Sequence, residues 1–462
     1  MKKLFLSFLS IIMIGLAGCG DNTAVVATSD LLGNNGEIVL FDIDDLEALP
    51  DVVSGVDSPF KIITSPDGLW AYVAGSAEQG FRVVDILNKT TEFVPIKEYT
   101  LQNRRIWDMA LSFDGSQLFV GTSNATRTIS HIEIYDTTTL ELETTFPIQE
   151  GLDFYCGRRL VADPTREAIY VIATALVGTF AEVRAYSFDG NAWNVWGEGQ
   201  SIEPDTLDID PYDIAISPQG DLLLAVSTKI FPFRVMDDGL AGLYQDEDEN
   251  NIGITPSVDC PFYGKTKILF TQNWDMIYVN SRGIVGLASL AGSSVCINKQ
   301  KLLDEDPEPF VFSLVDFLND DLMKWIVGLL SEDIANVIDP LALYGIADSA
   351  VVGDTVYLVV GSVENTVLDL VGLLKGKCVL AIFRTVPLIG NIWVGGKVFD
   401  KYPSNIAVNA DANTLILSYF WQNQMGVYSK NPVLGWILTD ENMLDLDNYP
   451  KALGLATIPV SM

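Results

Sequence analysis

Short apolar runs alternate with polar turns along most of this chain. The clearest example is Ile62–Val73, where two apolar runs flank the turn Ser65-Pro66-Asp67-Gly68. The Val, Ile, Tyr and Leu residues of such runs favour β-strands, whereas Pro followed by Asp-Gly favours a tight reversal. A third run ends at Asp85 and a more polar fourth run follows it. The pattern therefore predicts four consecutive strands that alternate in direction.

The same arrangement recurs at intervals of roughly fifty residues. Further copies lie at Ala24–Thr28, Met109–Val120, Leu160–Val171, Ile214–Leu224, Ile268–Val279, Ala347–Val359 and Ile406–Leu417. Four strands per repeat at this period are typical of a β-propeller. The repeats predict an all-β, eight-bladed propeller, with seven blades as the alternative because the later copies match weakly.

The first of these units lacks a first strand of its own. The segment Ala452–Ile458 follows Tyr449-Pro450 near the C-terminus and has the apolar character that such a strand requires. We expect it to pair with Ala24–Thr28, which would close the ring and remove the exposed edges of an open array.

The repeat resembles the YVTN-type propeller repeat in its Ser-Pro-Asp-Gly turn, in Tyr72-Val73 and in Val83-Val84-Asp85. This resemblance covers nearly the whole chain after about residue 23, and it implies an architecture more than an activity. Members of the family include surface-layer propellers and lactonase-like proteins. The resemblance therefore implies either a binding role or a hydrolase that holds a divalent cation such as Ca²⁺ in its channel.

The N-terminus has the pattern of a secretory signal. Lys2 and Lys3 precede a short apolar run, and Leu16-Ala17-Gly18 stands directly before Cys19. This ending resembles the lipobox of bacterial lipoproteins, which implies cleavage before Cys19 and acylation of that residue. We expect residues 1–18 to be a signal peptide, 19–23 a lipidated tether and 24–462 a single propeller domain.

Composition restricts the partners. The formal net charge is −33, and such a surface repels nucleic acid and anionic headgroups. Hydrophobic residues make up 48% of the chain and charged residues only 19%, which indicates a folded protein with a large core. Four cysteines remain after Cys19, and an oxidising envelope would allow three disulfide pairings among them. They are Cys156, Cys260, Cys296 and Cys378.

Two segments have the apolar spacing of helices, at about 310–340 and 365–375. The first follows the acidic stretch 304–309 and precedes Pro340, and the second interrupts the seventh unit. Both are expected on one face of the ring, where they would either pack together as a small cap or expose an apolar surface for a partner. The docking candidates are Leu322, Trp325, Ile326, Leu329, Leu370 and Leu373.

A further set of residues shares one repeat position, four residues before the turn Ser or its equivalent. This position begins the first strand of each unit, which lines the central channel. In order it holds Lys61, Asp108, Arg159, Asp213, Lys267, Ile346, Asn405 and Ala452. Because the first five alternate in charge, we expect them to gather at one channel mouth, either as ion pairs between blades or as a site for a polar ligand or ion.

Other chemistry has weaker support. His131 is the single histidine, which excludes copper sites with several histidine ligands and leaves one candidate base for a Ser-His-Asp triad. The run Asp246–Asn251 resembles a Ca²⁺ loop only in part, since Asn251 replaces the central Gly and Ser257 the final Glu. The sequence thus favours a non-enzymatic envelope lipoprotein with a protein partner, and the lactonase-like hydrolase is the alternative. Gly20 after Cys19 is compatible with the outer membrane.

Overall fold

The fold was obtained as a computed structural model. The structure describes residues 10–15, 22–28, 36–42, 51–56, 59–75, 78–96, 105–124, 126, 129–148, 155–175, 181–202, 213–227, 229–247, 250–254, 266–272, 276–281, 294–304, 344–362, 378–386, 390–399, 403–408, 413–419, 424–430, 438–445 and 455–457. The described residues form eight sheets, which we number as blades 1 to 8 in chain order.

In most blades the strands follow one another antiparallel, from the inner strand at the channel to the outer strand at the rim. Blade 1 contains Ser10–Gly15, Asn22–Thr28, Glu37–Asp42, Asp51–Gly55 and Leu455–Thr457. Blade 2 contains Pro59–Thr64, Trp70–Gly75, Gly80–Asp85 and Thr90–Pro95. Blade 3 contains Arg105–Leu111, Gln117–Ser123, Ser130–Asp136 and Leu142–Pro147. Blade 4 contains Tyr155–Ala162, Ala168–Ala175, Ala181–Phe188, Trp193–Val195 and Gln200–Ile202.

The second half of the ring follows the same order. Blade 5 contains Asp213–Ile216, Leu222–Val226, Ile230–Met236 and Gly239–Gly242. The described strands of blade 6 are Thr266–Phe270, Met276–Ser281 and Ser294–Asn298, with the short helix Lys299–Leu303 after them. Blade 7 contains Tyr344–Val352, Thr355–Ser362, Cys378–Val386 and Gly390–Phe399. Blade 8 contains Pro403–Val408, Thr414–Tyr419, Gln424–Lys430 and Leu438–Asp445.

The inner strands of neighbouring blades contact one another all the way round, and blade 1 closes the ring between blades 8 and 2. The chain is therefore an eight-bladed β-propeller, and the seven-bladed alternative is wrong. The two segments expected to be helical, 310–340 and 365–375, lie outside the described residues. No helix within the described ranges combines the length and apolar character needed to cross a bilayer.

Blade 1 differs in one respect from the arrangement expected from the sequence. The strand that pairs antiparallel with Asn22–Thr28 is Ser10–Gly15, from the segment assigned to the signal. The C-terminal strand Leu455–Thr457 lies on the far side of Ser10–Gly15 and runs parallel to it. The C-terminal strand thus joins the N-terminal blade as expected, but it pairs with Ser10–Gly15 instead of with Asn22–Thr28 and lies one strand closer to the channel.

The hydrophobic core lies between the blades. Second strands are buried on both faces, because alternate side chains point to the two neighbouring blades. In blade 2, Ala71 and Val73 pack towards blade 1, whereas Tyr72 and Ala74 pack towards blade 3. This explains why the second strands are continuous apolar runs rather than alternating ones.

The turns between the first and second strands use side chains to replace missing backbone partners. In blade 2 the Ser65 hydroxyl accepts the N–H of Trp70 and donates to the Asp67 carboxylate. Asp67 in turn accepts the N–H of Leu69. Gly68 adopts φ of 72°, a conformation that side chains with a Cβ disfavour. The Ser-Pro-Asp-Gly signature therefore forms a turn that is stabilised by hydrogen bonds among its own residues. The same Ser hydroxyl contact recurs in blades 3 and 5.

Candidate functional site at the channel mouth

One position of the inner strand is equivalent in seven blades. In blades 2, 4 and 6 the residue pairs with the second-strand position two residues after a tyrosine, namely Tyr72, Tyr170 and Tyr278. The other blades have a different apolar or aromatic residue in place of this tyrosine or, in blade 7, Tyr357. In order from blade 2 to blade 8, the residues at the inner-strand position are Lys61, Asp108, Arg159, Asp213, Lys267, Asp348 and Asn405. We call this set the channel ring.

A β-bulge precedes the ring position in five of these blades. One extra residue interrupts the pairing just before Lys61, Asp108, Arg159, Asp348 and Asn405. In blade 3 the extra residue is Trp107, and its indole lies against Gly121 and Gly157, where an added Cβ would approach ring atoms to 2.5 and 2.3 Å. Bulges redirect side chains at barrel and sheet ends, and here they occur at the mouth of the channel.

Asp108 is the most completely engaged member of the channel ring. Its Oδ1 lies 2.9 Å from the Lys61 ammonium of blade 2 and accepts the N–H of Met109 at 2.9 Å. Its Oδ2 accepts the N–H of Leu160 in blade 4 at 3.0 Å. The carboxylate is only 4% exposed, whereas the Lys61 side chain is 35% exposed. One buried carboxylate thus joins three blades.

The same contact to the following blade recurs on alternate blades. Asp213 Oδ2 accepts the N–H of Ile268 at 3.0 Å, and Asp348 Oδ2 accepts the N–H of Ile406 at 3.1 Å. In every case the donor is the residue directly after the ring position of the next blade. Asp348 also pairs with Lys267, the Nζ to Oδ1 distance being 3.1 Å. The three carboxylates therefore connect blades 3 to 4, 5 to 6 and 7 to 8.

Asp213 shows how closely the ring members influence one another. Burial is the largest effect and raises the pKa of this carboxyl above its usual range. The N–H of Ile268 and the positive charges of Arg159 and Lys61 act in the opposite direction. Since Lys61 belongs to blade 2 and Asp213 to blade 5, a charge on a non-adjacent blade influences the pKa of the Asp213 carboxyl.

Arg159 differs from the two lysines. Within the described part of the chain, its one hydrogen bond is from Nη1 to the carbonyl oxygen of Arg158, at 2.9 Å. Its charge influences Asp213 without forming a close ion pair with it. The guanidinium carries five N–H donors, so most of its hydrogen-bonding capacity is uncommitted to these residues.

Asp348 was missed by counting along the sequence, which placed Ile346 at this position in blade 7. The first hairpin of blade 7 closes through Gly353-Asp354 directly between Val352 and Thr355, whereas blade 2 uses a longer turn after Ser65. Counting back from the turn therefore gave a register two residues too early. Aligning Tyr357 with Tyr72 and Tyr278 would have found Asp348.

A second group of carboxylates lies at the opposite ends of the strands. A cavity of about 550 Å³ opens between the turns of blades 2 and 3, beside Trp70. Its acidic lining consists of Asp67, Asp85, Glu92 and Asp114. Asp85 and Asp114 accept backbone N–H groups of their own turns, those of Asn88 and Ser116 respectively. We call this the turn face.

The other residues singled out in the sequence take no part in the channel ring. His131 lies half-buried on the third strand of blade 3. Asp246 accepts N–H groups from Asn250, so part of the acidic run 246–251 bonds to itself as a turn. Cys296 is a buried thiol in blade 6. The described part of the structure does not include Cys19, Cys260, Ala452 or the six apolar docking candidates at 322–373. It also does not include the side chains of Cys156 and Cys378.

Comparison with known proteins supports the fold and no particular activity. No family model matches the chain, and no curated protein sequence matches it. The dihydro-heme d1 dehydrogenase NirN, solved with DHE, is similar over 96% of this chain and 74% of its own, with a TM-score of 0.56 and 12% identity. The Dos1 propeller is similar over 94% and 96%, with a TM-score of 0.50 and 10% identity. The periplasmic gluconolactonase PpgL of Pseudomonas aeruginosa covers 91% and 96%, with a TM-score of 0.48 and 12% identity. At these identities the likeness shows a β-propeller alone.

Proposed function

We propose that this protein is a non-enzymatic binding module, tethered to the bacterial cell envelope by lipid on Cys19. The basic start, the short apolar run and Leu16-Ala17-Gly18 before Cys19 support the tether. Cleavage before Cys19 would remove the strand Ser10–Gly15 from blade 1, so the proposal requires Leu455–Thr457 to pair with Asn22–Thr28 in the mature protein. A rigid ring that presents loops from its faces suits recognition of an envelope protein partner or a ligand. Gly20 after Cys19 favours the outer membrane.

The binding role rests on the observation that the carboxylates of Asp108 and Asp348 are already bonded through both oxygens. Asp108 uses both oxygens for Lys61 and two backbone N–H groups, and Asp348 uses both for Lys267 and Ile406. Carboxylates engaged in this way hold blades together and have little capacity left to bind a metal or move a proton. The channel ring therefore supports a structural frame around a binding site better than a catalytic centre.

The alternative is a lactonase-like hydrolase with a divalent cation in the channel, the role implied by the YVTN-type resemblance. Ca²⁺ is bound by six to eight oxygen ligands, mostly from converging carboxylates and carbonyls. The ring carboxylates instead lie on alternate blades, and Asp108 and Asp348 each pair with a lysine of the preceding blade. Within the described ranges, no group of three or more His, Cys, Asp or Glu residues could hold a metal ion. These residues do not fit the cation, so we derive no hydrolytic step through it.

The tether is tested by replacing Cys19 with Ser and following detergent-phase partitioning of whole-cell extracts. We expect the wild-type protein in the detergent phase and the Cys19→Ser protein in the aqueous phase, because a lipid chain contributes about 0.8 kcal/mol per buried CH₂ group. Cys296→Ser is the matched control and should partition like the wild type. A Cys19→Ser protein that stays in the detergent phase would show that the lipid assignment is wrong.

The non-enzymatic role is tested separately with the full-length protein purified in detergent. We expect no hydrolysis of gluconolactone above the spontaneous rate with added Ca²⁺, and no difference after treatment with a chelator. Metal analysis of the same sample should find no stoichiometric Ca²⁺. Turnover that disappears with the chelator would establish the hydrolase in place of the binding module.

A further inference from the structure

We propose that the channel mouth binds a small polyanion, a ligand with two or more carboxylate or phosphate groups, held by Lys61, Arg159 and Lys267. The proposal rests on the binding role above and names the chemistry of its ligand. It starts from a contrast within the two ion pairs of the channel ring: their carboxylates are largely buried, whereas their lysines are partly exposed.

The exposure of the paired side chains shows this contrast. Asp108 and Asp348 are 4% and 15% exposed, whereas their partners Lys61 and Lys267 are each 35% exposed. The backbone N–H groups of Leu160 and Ile406 lie behind the carboxylates and stabilise their charge. A solute that enters the mouth therefore meets ammonium groups in front of carboxylates that are already bonded.

The donors of these cations exceed the acceptors around them. An ammonium group has three N–H donors and a guanidinium five. Among the described residues, Lys61 donates to Asp108, Lys267 to Asp348 and to the carbonyl of Ser349, and Arg159 to the carbonyl of Arg158. Most of the donors on Arg159 and two on Lys61 have no acceptor among the described residues, and a ligand that satisfies them must be an acceptor.

The arrangement of the cations favours a polyvalent ligand over a single charge. Lys61, Arg159 and Lys267 lie on blades 2, 4 and 6, so the cations surround part of the channel from alternate blades. Arg159 can hold a carboxylate or phosphate with two parallel N–H bonds. Lys61 and Lys267 lie two blades away on either side, and a ligand with a second anionic group would use one of these lysines as its further donor. The whole chain has a net charge of −33, which repels anions at long range, so binding depends on direct contacts with these three cations.

Calorimetric titration with citrate, and in a separate arm with inorganic phosphate, tests the proposal on the full-length protein purified in detergent. Ionic strength is held constant with sodium chloride, because simple screening would otherwise resemble competition. We expect saturable binding of about one citrate per chain. Phosphate, with fewer anionic groups, should bind more weakly at the same site and be displaced by citrate. Failure of both anions to bind at millimolar concentration would overturn the proposal and leave the tether and the non-enzymatic role untouched.

Arg159→Gln is the decisive variant, since Arg159 has no close ion pair within the described residues, and its loss removes from Asp213 a charge that acts at a distance rather than a hydrogen-bonded partner. We expect citrate affinity to fall by at least about tenfold, the size of one strong charge-assisted contact. Arg159→Lys should restore part of the affinity. Arg384→Gln removes the same charge from an exposed position of blade 7 and should bind like the wild type. Equal losses in Arg159→Gln and Arg384→Gln would show a general charge effect and overturn the site.

Discussion

The channel mouth and the turn face use the same residue, aspartate, in opposite ways. At the mouth, Asp108 reaches across to Lys61 and Leu160 on two other blades. On the turn face, Asp114 bonds within its own turn, to Ser112 and Ser116. The first aspartate holds the ring together and the second holds one hairpin in shape. The repeat thus encodes local turns within single blades, as in blades 2, 3 and 5, and contacts to the next blade at the carboxylates of blades 3, 5 and 7.

The electrostatics of the two regions differ in the same way. Burial raises the pKa of Asp213 at the mouth. On the turn face, the Ser112 hydroxyl is the largest influence on Asp114 and lowers its pKa, while backbone and hydroxyl donors of Thr139 do the same for the Asp136 carboxyl. A carboxylate that accepts several hydrogen bonds near water is stabilised as the anion, whereas a desolvated one is not.

The largest effect should come from removing the carboxylate that joins three blades. Asp108→Ala would leave Lys61 and the N–H of Leu160 without their acceptor, which we expect to cost roughly 1–3 kcal/mol of unfolding free energy. Asp114→Ala is the matched control on the turn face and should cost only about 0.5–1 kcal/mol. Urea denaturation of both variants makes the comparison. Equal losses would mean that the contacts between blades contribute no more than a turn.

A smaller effect should separate turn strain from packing between blades 2 and 3. Gly115 has φ of 73°, and an added Cβ would lie 2.6 Å from Pro66 Cδ of blade 2. Gly190 has φ of 92° and no atom within 4 Å of the added Cβ. We expect both Ala variants to lose about 1–2 kcal/mol from the backbone conformation, and Gly115→Ala to lose more. Thermal melts of the two variants measure the difference, and identical melts would show that Pro66 moves aside freely.

The smallest effect, and the sharpest in sign, concerns pH. A carboxyl with a raised folded pKa destabilises the fold as the pH rises through that pKa, whereas one with a lowered pKa stabilises the fold above its unfolded value and loses this as the pH falls. The unfolding free energy of Asp213→Asn, relative to that of the wild type, should therefore be higher at pH 7 than at about pH 3.5. Asp114→Asn should show the opposite trend. Urea titrations at both pH values compare them, and trends of the same sign would contradict the assignment.

Sequence patterns predicted the local part of this molecule well. Ser65, Ser112 and Ser217 mark turns whose hydroxyls bond the returning strand, so counting from them places the inner strands of blades 2, 3 and 5 in register. The eight-bladed ring follows from the same repeats. Where the turn changes, as at Gly353-Asp354, the count failed and Asp348 was missed.

The contacts that hold the ring together could not be predicted in the same way. The acceptors Asp108, Asp213 and Asp348 stand out as charges, but their partners at Leu160, Ile268 and Ile406 are backbone N–H groups, which every residue except proline has. The presence of Ser10–Gly15 beside Asn22–Thr28 was equally hidden, because an apolar run compatible with export is also compatible with a strand. Only the closed ring shows which edge each segment occupies.

The alternation of the channel ring has a consequence for how such a chain can grow. Lys61, Asp108, Arg159, Asp213, Lys267 and Asp348 repeat their signs every two blades, not every blade. Duplicating or deleting a single blade within this stretch would place two cations or two carboxylates side by side, and like charges at close range disfavour the charged form of each group. Copying a pair of blades would preserve the order of charges and every connection to the next blade. The shortest segment of this part of the ring that can be copied without placing like charges side by side is therefore two blades long, although the turns repeat with every blade.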